Sequence, residues 1–218
     1  MKLLLTSAGI TNRSIAKAFA DLLGKPFDQS CTVFVPTAAN PEKGDKSWVE
    51  SEMNSLRILG FKAFDAVDIS SVSPGMWQPI FEKADVIGVG GGNDKYLLTW
   101  LRKSGLATLL PDLLKTKVYM GISAGSIVTA KRVSLSSLGI LYYERTQKFK
   151  DDAGLGLVDF EIRPHLNSPG FPKVRLDYLE KLAAENPTPF YALDDNSAVK
   201  VDGDMVTVVS EGTWKKFN

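Results

Sequence analysis

The 218-residue sequence contains one cysteine, Cys31, so no disulfide can close within the chain and no cysteine-based zinc cluster can form. Cys31 lies in an apolar run ending at Pro36 and reads as a buried, inert thiol. There is also one histidine, His165. One histidine and one cysteine cannot supply a metal-ligand cluster, so neither a metal nor another cofactor is expected. An excess charge of one sign is missing too: 26 Lys and Arg against 25 Asp and Glu leave a net charge of +1. No basic cluster interleaves with aromatics, which argues against a nucleic-acid partner. The apolar stretch near Met1 is too short for a signal-peptide core, and no run approaches a membrane-spanning length. A cytoplasmic protein with no membrane partner is the expectation. Repeats, low-complexity tracts and linkers are absent, and the length suits one α/β domain over residues 1–218.

What is present is an alternation of short apolar runs with helical periodicity. Residues 3–6, 31–35, 63–67, 86–89 and 118–120 read as strands. Helices are predicted over 14–23, from the loop after residue 45 to 59, over 96–101 and over 106–114. This order implies right-handed βαβ units and a mostly parallel sheet covered on both faces. Beyond Ala130 the pattern weakens. Short strands are expected at 140–143 and 157–162 around the polar segment 144–152, then a helix over 173–185. Strands at 190–193, 198–201 and 205–209 follow, with Asp202-Gly203 as a hairpin signal.

Gly121-Ile-Ser123-Ala-Gly125 sits where the strand at 118–120 gives way to a helix. That is the recipe for a nucleophile elbow, with Ser123 at the tip of a sharp turn beside helix N–H groups. A serine hydroxyl needs a base, and a histidine base can only be His165. The strand at 157–162 would bring His165 to the carboxyl edge of a sheet, where open parallel sheets place their sites. Asp194 and Asp195 also follow a strand, and at most one of them should face His165, because consecutive side chains on an extended segment diverge. Glu144, Asp151, Asp152, Asp159 and Glu161 remain rivals for the orienting acid. Gly88-Val-Gly90-Gly91-Gly92-Asn93 is the candidate oxyanion loop, since bare glycines can aim N–H groups at a substrate. As a dinucleotide loop it lacks the third glycine and follows the wrong strand.

In order, Gly90-Gly91-Gly92-Asn93, Gly121-Ile-Ser123-Ala-Gly125, Pro164-His165 and Leu193-Asp194-Asp195 resemble the motifs of the peptidase E family. That family contains aspartyl dipeptidase and, more distantly, cyanophycinase, within the class I glutamine-amidotransferase-like fold. The resemblance runs from the first strand to the final hairpin. It implies a three-layer, doubly wound, mostly parallel sheet flanked by helices, with a C-terminal β-hairpin. It also implies a serine peptidase acting on short peptides through an acyl-enzyme, without a cofactor. Ser123 would be the nucleophile, His165 the base, and the N–H groups of Gly91 and Ala124 the oxyanion hole. Cyanophycinase-like members carry a Glu that falls on Asp195. Peptidase E proper has an Asp soon after the elbow, but residues 135–141 here contain no carboxylate, which favours Asp195. Gly92, Asn93 and Arg163 are the implied substrate contacts, with helix capping as the alternative for Asn93. The arginine-bearing loop of aspartyl dipeptidases is matched by the short, apolar 168–172 segment, leaving Arg163, Lys173 and Arg175 as nearby cations. A non-peptide esterase or amidase and a non-catalytic binding module are the competing readings, and a pairing of two copies is left open.

Overall fold

The structure is a computed structural model that describes residues 1–144, 151–185 and 187–218. The chain opens with β1 (Lys2–Thr6), α1 (Arg13–Leu23), β2 (Cys31–Val35), α2 (Ser47–Arg57), β3 (Ala63–Ala66), α3 (Pro74–Lys83) and β4 (Val86–Val89). Next come α4 (Asp94–Lys103), α5 (Leu106–Leu113), β5 (Val118–Ile122) and the single-turn α6 (Ala124–Ile127). The second part contains α7 (Leu135–Leu141), β6 (Glu161–Arg163), α8 (Leu176–Glu185), β7 (Phe190–Leu193), β8 (Ser197–Asp202), β9 (Met205–Ser210) and β10 (Trp214–Phe217).

The central sheet has seven strands in the order β3-β2-β4-β5-β1-β8-β9. β3, β2, β4, β5 and β1 run parallel, and the β8–β9 hairpin completes the sheet antiparallel. Because both faces are covered, the strands are apolar at consecutive positions. In β1, Leu3 and Leu5 face one core layer and Leu4 the other. The first layer is filled by Trp77 and Phe81 of α3, Leu97 and Leu101 of α4 and Leu110 of α5. The second receives Ile15, Phe19 and Leu22 of α1 and Leu56 of α2. Each such fully buried side chain is worth about 1.5–3 kcal/mol of transfer free energy. Among the described residues no helix is long and apolar enough to cross a membrane.

A second sheet has the order β10-β7-β6, with β6 and β7 parallel and β10 antiparallel to β7. It departs from the sequence reading in several ways. The apolar residues Ile140 and Leu141, read as strand, finish α7 instead. Ser134 caps that helix by accepting from the Ser137 N–H, and Leu138 and Leu141 bury one face three residues apart. The strand expected over 157–162 shrinks to β6 and an isolated bridge between Ala130 and Val158, and it lies outside the central sheet. β10 was not anticipated, and Cys31, at the start of β2, is half-buried. Within the polar segment 144–152, residues 145–150 lie outside the described ones.

Candidate active site

Strand adjacency decides what meets at the carboxyl edge of the central sheet. β5 lies between β4 and β1, with Val89 opposite Gly121 and Thr6 opposite Ile122. The three loops that follow these strands are therefore neighbours: Gly90–Gly92, the Ser123 turn and the Ser7 loop. Ser123 has φ 47°, ψ −109°, a conformation that side-chain-bearing residues rarely adopt and that persists only when the surroundings hold it. Several bonds hold it here. The Ser123 N–H donates to Thr6 O at 3.1 Å, Ser126 Oγ to the same oxygen at 2.8 Å, and the Tyr119 hydroxyl to Gly125 O at 2.6 Å. A Cβ on Gly121 would stand 2.6 Å from Gly125 O, and one on Gly125 would strike the backbone carbonyl of Val89. The sharp turn thus needs glycine on both sides of the serine.

The small sheet supplies what the central sheet lacks. β6 and β7 are parallel, with Arg163 opposite Ala192. Residues just past those ends are brought together, and the Leu166 N–H donates to Leu193 O at 2.9 Å. His165, itself at φ 64°, sets Nε2 2.9 Å from Ser123 Oγ and Nδ1 2.7 Å from Asp195 Oδ1. An ionised carboxylate can only accept, so Nδ1 carries the proton and Nε2 is left to accept from the serine. Ser7 locks the arrangement, its Oγ accepting from the His165 N–H and donating to Asp195 Oδ1, both at 2.8 Å. Phe171 stacks on the imidazole with ring centroids 4.7 Å apart at 19°. Burial pushes the Asp195 carboxyl upward, but hydrogen bonds from His165 and Ser7 outweigh it and hold the acid below its ordinary value.

The other acids are engaged elsewhere. Asp194 faces the opposite way and accepts from Asn196 N–H, Ser197 Oγ and Thr213 N–H, turning the chain from β7 into β8. Asp151 pairs with Arg102, Asp152 with Arg132, Asp159 with Lys131 and Glu161 with Arg163. Glu144 accepts from the Asp94 N–H at 2.6 Å, at the start of α4. The Asp94 carboxyl is fully buried, and desolvation followed by the charge of Glu144 pushes it well above its usual range. Among the described residues, no group of His, Cys, Asp and Glu could hold a metal ion.

A cavity of about 630 Å³ opens over Ser123 and His165, with Gly91, Gly92, Trp48, Glu52 and Phe171 in its wall. The sequence-predicted substrate contacts divide. Gly92 lines the cavity. Asn93 does not, and instead caps α4 by accepting from the Tyr96 N–H at 2.9 Å. Arg163 is 2% exposed, ion-paired with Glu161, and lines a different cavity, shared with Glu161 and Phe190. Arg175 spends its guanidinium on the carbonyls of Ser168, Phe171 and Val174, so it shapes the loop that carries Phe171. Lys43 is the one Lys or Arg among the described residues lining the Ser123 cavity. Ser7, Phe171 and Glu52 were not singled out from the sequence. Ser7 alone left a trace there, since it directly follows a strand.

Residues 3–209 match the profile of peptidase family S51. An uncharacterized peptidase from Pasteurella multocida is 30% identical over 205 residues, covering 90% of this chain and 92% of the relative. Peptidase E from Haemophilus influenzae is 30% identical over 200 residues, covering 88% and 78%. Among solved structures, a candidate peptidase E from Listeria monocytogenes superposes with a TM-score of 0.80 at 25% identity, covering 97% of this chain and 98% of that one. A peptidase from an acI-B1 actinobacterium shares the fold, with a TM-score of 0.73 at 19% identity, covering 98% and 88%.

Proposed function

The chain belongs to peptidase family S51 and is a serine-type peptidase; from that premise we propose that it hydrolyses short peptides through an acyl-enzyme on Ser123. The observation that carries this reading is the unbroken chain of contacts from Ser123 Oγ through the His165 ring to Asp195, at 2.9 and 2.7 Å. Ser123 Oγ attacks the scissile carbonyl as its proton passes to His165 Nε2. The tetrahedral oxyanion is held by the N–H groups of Gly91 and Ala124. His165 then returns the proton to the leaving amine, and a water attacks the acyl-serine by the same route in reverse. Asp195 keeps the imidazole in the productive tautomer and steadies its positive form. Preorganised donors of this kind are each worth about 3–4 kcal/mol of barrier.

The cavity's volume suits a dipeptide or tripeptide, and Phe171, stacked on the imidazole, forms part of its wall. Lys43 is the one Lys or Arg among its described lining residues, the cation that would meet an acidic substrate side chain. Turnover of Asp-x dipeptides, other dipeptides, longer peptides and simple esters tests the proposal. Fastest hydrolysis of a di- or tripeptide, abolished in Ser123→Ala, is the expected result. Esters alone being cleaved would favour the non-peptide hydrolase, and no turnover of any of them would favour a binding module.

A further inference from the structure

Glu52, on α2, has no part in the mechanism above, yet its carboxyl sits on the Gly91 N–H. That N–H donates to Oε1 at 3.2 Å and to Oε2 at 3.1 Å. The glycine loop is shaped around this side chain. A Cβ on Gly90 would come within 2.8 Å of Glu52 Oε2, and one on Gly91 within 2.7 Å of Oε1. The same Gly91 position lies 3.3 Å from Ser123 Cβ, and Glu52, Gly91 and Ser123 line one cavity, so the carboxyl sits on the glycine loop's side of Ser123. We propose that Glu52 is a further oxyanion-binding residue, a neutral carboxyl that cedes the Gly91 N–H to the substrate's carbonyl oxygen and turns its own O–H onto that oxygen.

This inference rests on Ser123 being the nucleophile. Its chemistry follows from the surroundings. Desolvation, only partly offset by the Gly91 N–H, pushes Glu52 up to about 8, so the carboxyl is protonated at neutral pH. The other ionisable side chains facing the same cavity are Glu42, Lys43, Asp94, Tyr142, Glu144 and His165. A neutral acid exchanges one ordinary hydrogen bond for another when the substrate enters. It then presents a donor to the growing negative charge, as a buried protonated carboxyl can. Ionisation removes that donor, strengthens the grip on Gly91 N–H and sets a negative charge against the oxyanion. Turnover therefore falls as pH rises through about 8.

The test is the second-order rate at which an alkyl fluorophosphonate labels the folded protein, read by intact mass from pH 6 to 10, because the phosphonyl oxygen enters the same site. Glu52→Ala should be slower by about 10²-fold at pH 7, the size of effect expected for one lost oxyanion donor. Glu52→Gln, which keeps an N–H donor that does not ionise, should lose roughly tenfold at pH 7 and lack the wild-type decline near pH 8. Glu52→Ala labelling as fast as wild type or faster would overturn the proposal, leaving the carboxyl a mere occupant. So would Glu52→Gln retaining the decline. Ser123→Ala serves as the reference: if it still labels, the nucleophile assignment has failed, whatever Glu52 does.

Discussion

At the scale of single residues, the site depends on which of two adjacent acids faces the imidazole. Asp195 accepts from the His165 ring and from Ser7, whereas Asp194 accepts from the turn at Asn196, Ser197 and Thr213. Asp195→Asn would offer an amide where Nδ1–H needs an acceptor and favour the wrong tautomer. We expect kcat to drop by on the order of 10⁴-fold with the fold retained. Asp194→Asn should instead lower the melting temperature and leave kcat within about tenfold of wild type, since it removes acceptors from a turn and none from the imidazole. Peptide hydrolysis and thermal melts on both variants decide between them, and a larger kcat loss for Asp194→Asn would mean the wrong acid has been assigned. Ser123 was legible in the sequence because an elbow leaves a local signature, and His165 because it is the one histidine. The pairing of Asp195 was legible only as a choice between neighbours. Glu52, Phe171 and Ser7 line the same cavity as Ser123 from distant parts of the chain, and no spacing rule could have joined them to it.

At the scale of elements, the β4 end, the elbow and α6 behave as one packed unit. Gly125 touches the carbonyl of Val89, the last residue before the glycine loop. Gly125→Ala must push that strand end away, and overpacking of this kind costs about 1–3 kcal/mol. We expect a lower melting temperature and, in the fraction still folded, a lower kcat, because Gly90–Gly92 moves with Val89. A melting temperature equal to wild type would show that the contact is slack. The parallel strands were readable because burial on both faces makes them continuously apolar. α7 was not, since Ile140-Leu-Tyr-Tyr143 has strand-like composition and the helix is declared only by the Ser134 cap six residues earlier. β10, Trp214-Lys-Lys-Phe217, is too short and too charged to announce itself.

At the scale of the whole molecule, Ser123 and the Gly90–Gly92 loop follow strands of the central sheet, His165 follows a strand of the small one, and Asp195 lies on the turn between β7 and β8. The two sheets join at the turn Asp194–Asn196, so the stability of β6, β7 and β10 becomes a condition for holding His165 beside Ser123. Phe217 and Phe190 stack at 4.6 Å and 17°, tying the end of the chain to β7. Phe217→Ala should therefore cost about 3 kcal/mol in urea unfolding, with kcat and KM near wild type below the transition. A loss under about 1 kcal/mol would mean that β10 does not brace the small sheet. The mostly parallel sheet was foreseeable from the order of runs. The split into two sheets was not, because parallel pairing of β6 with β7 is non-local and leaves no mark within either strand. The convergence of both sheets on one hydroxyl is tested most directly by peptide mapping of the folded protein after fluorophosphonate treatment. The account predicts one adduct per chain, on Ser123, formed at least about 10³-fold more slowly in His165→Ala. An adduct elsewhere, or equal labelling without the imidazole, would contradict it.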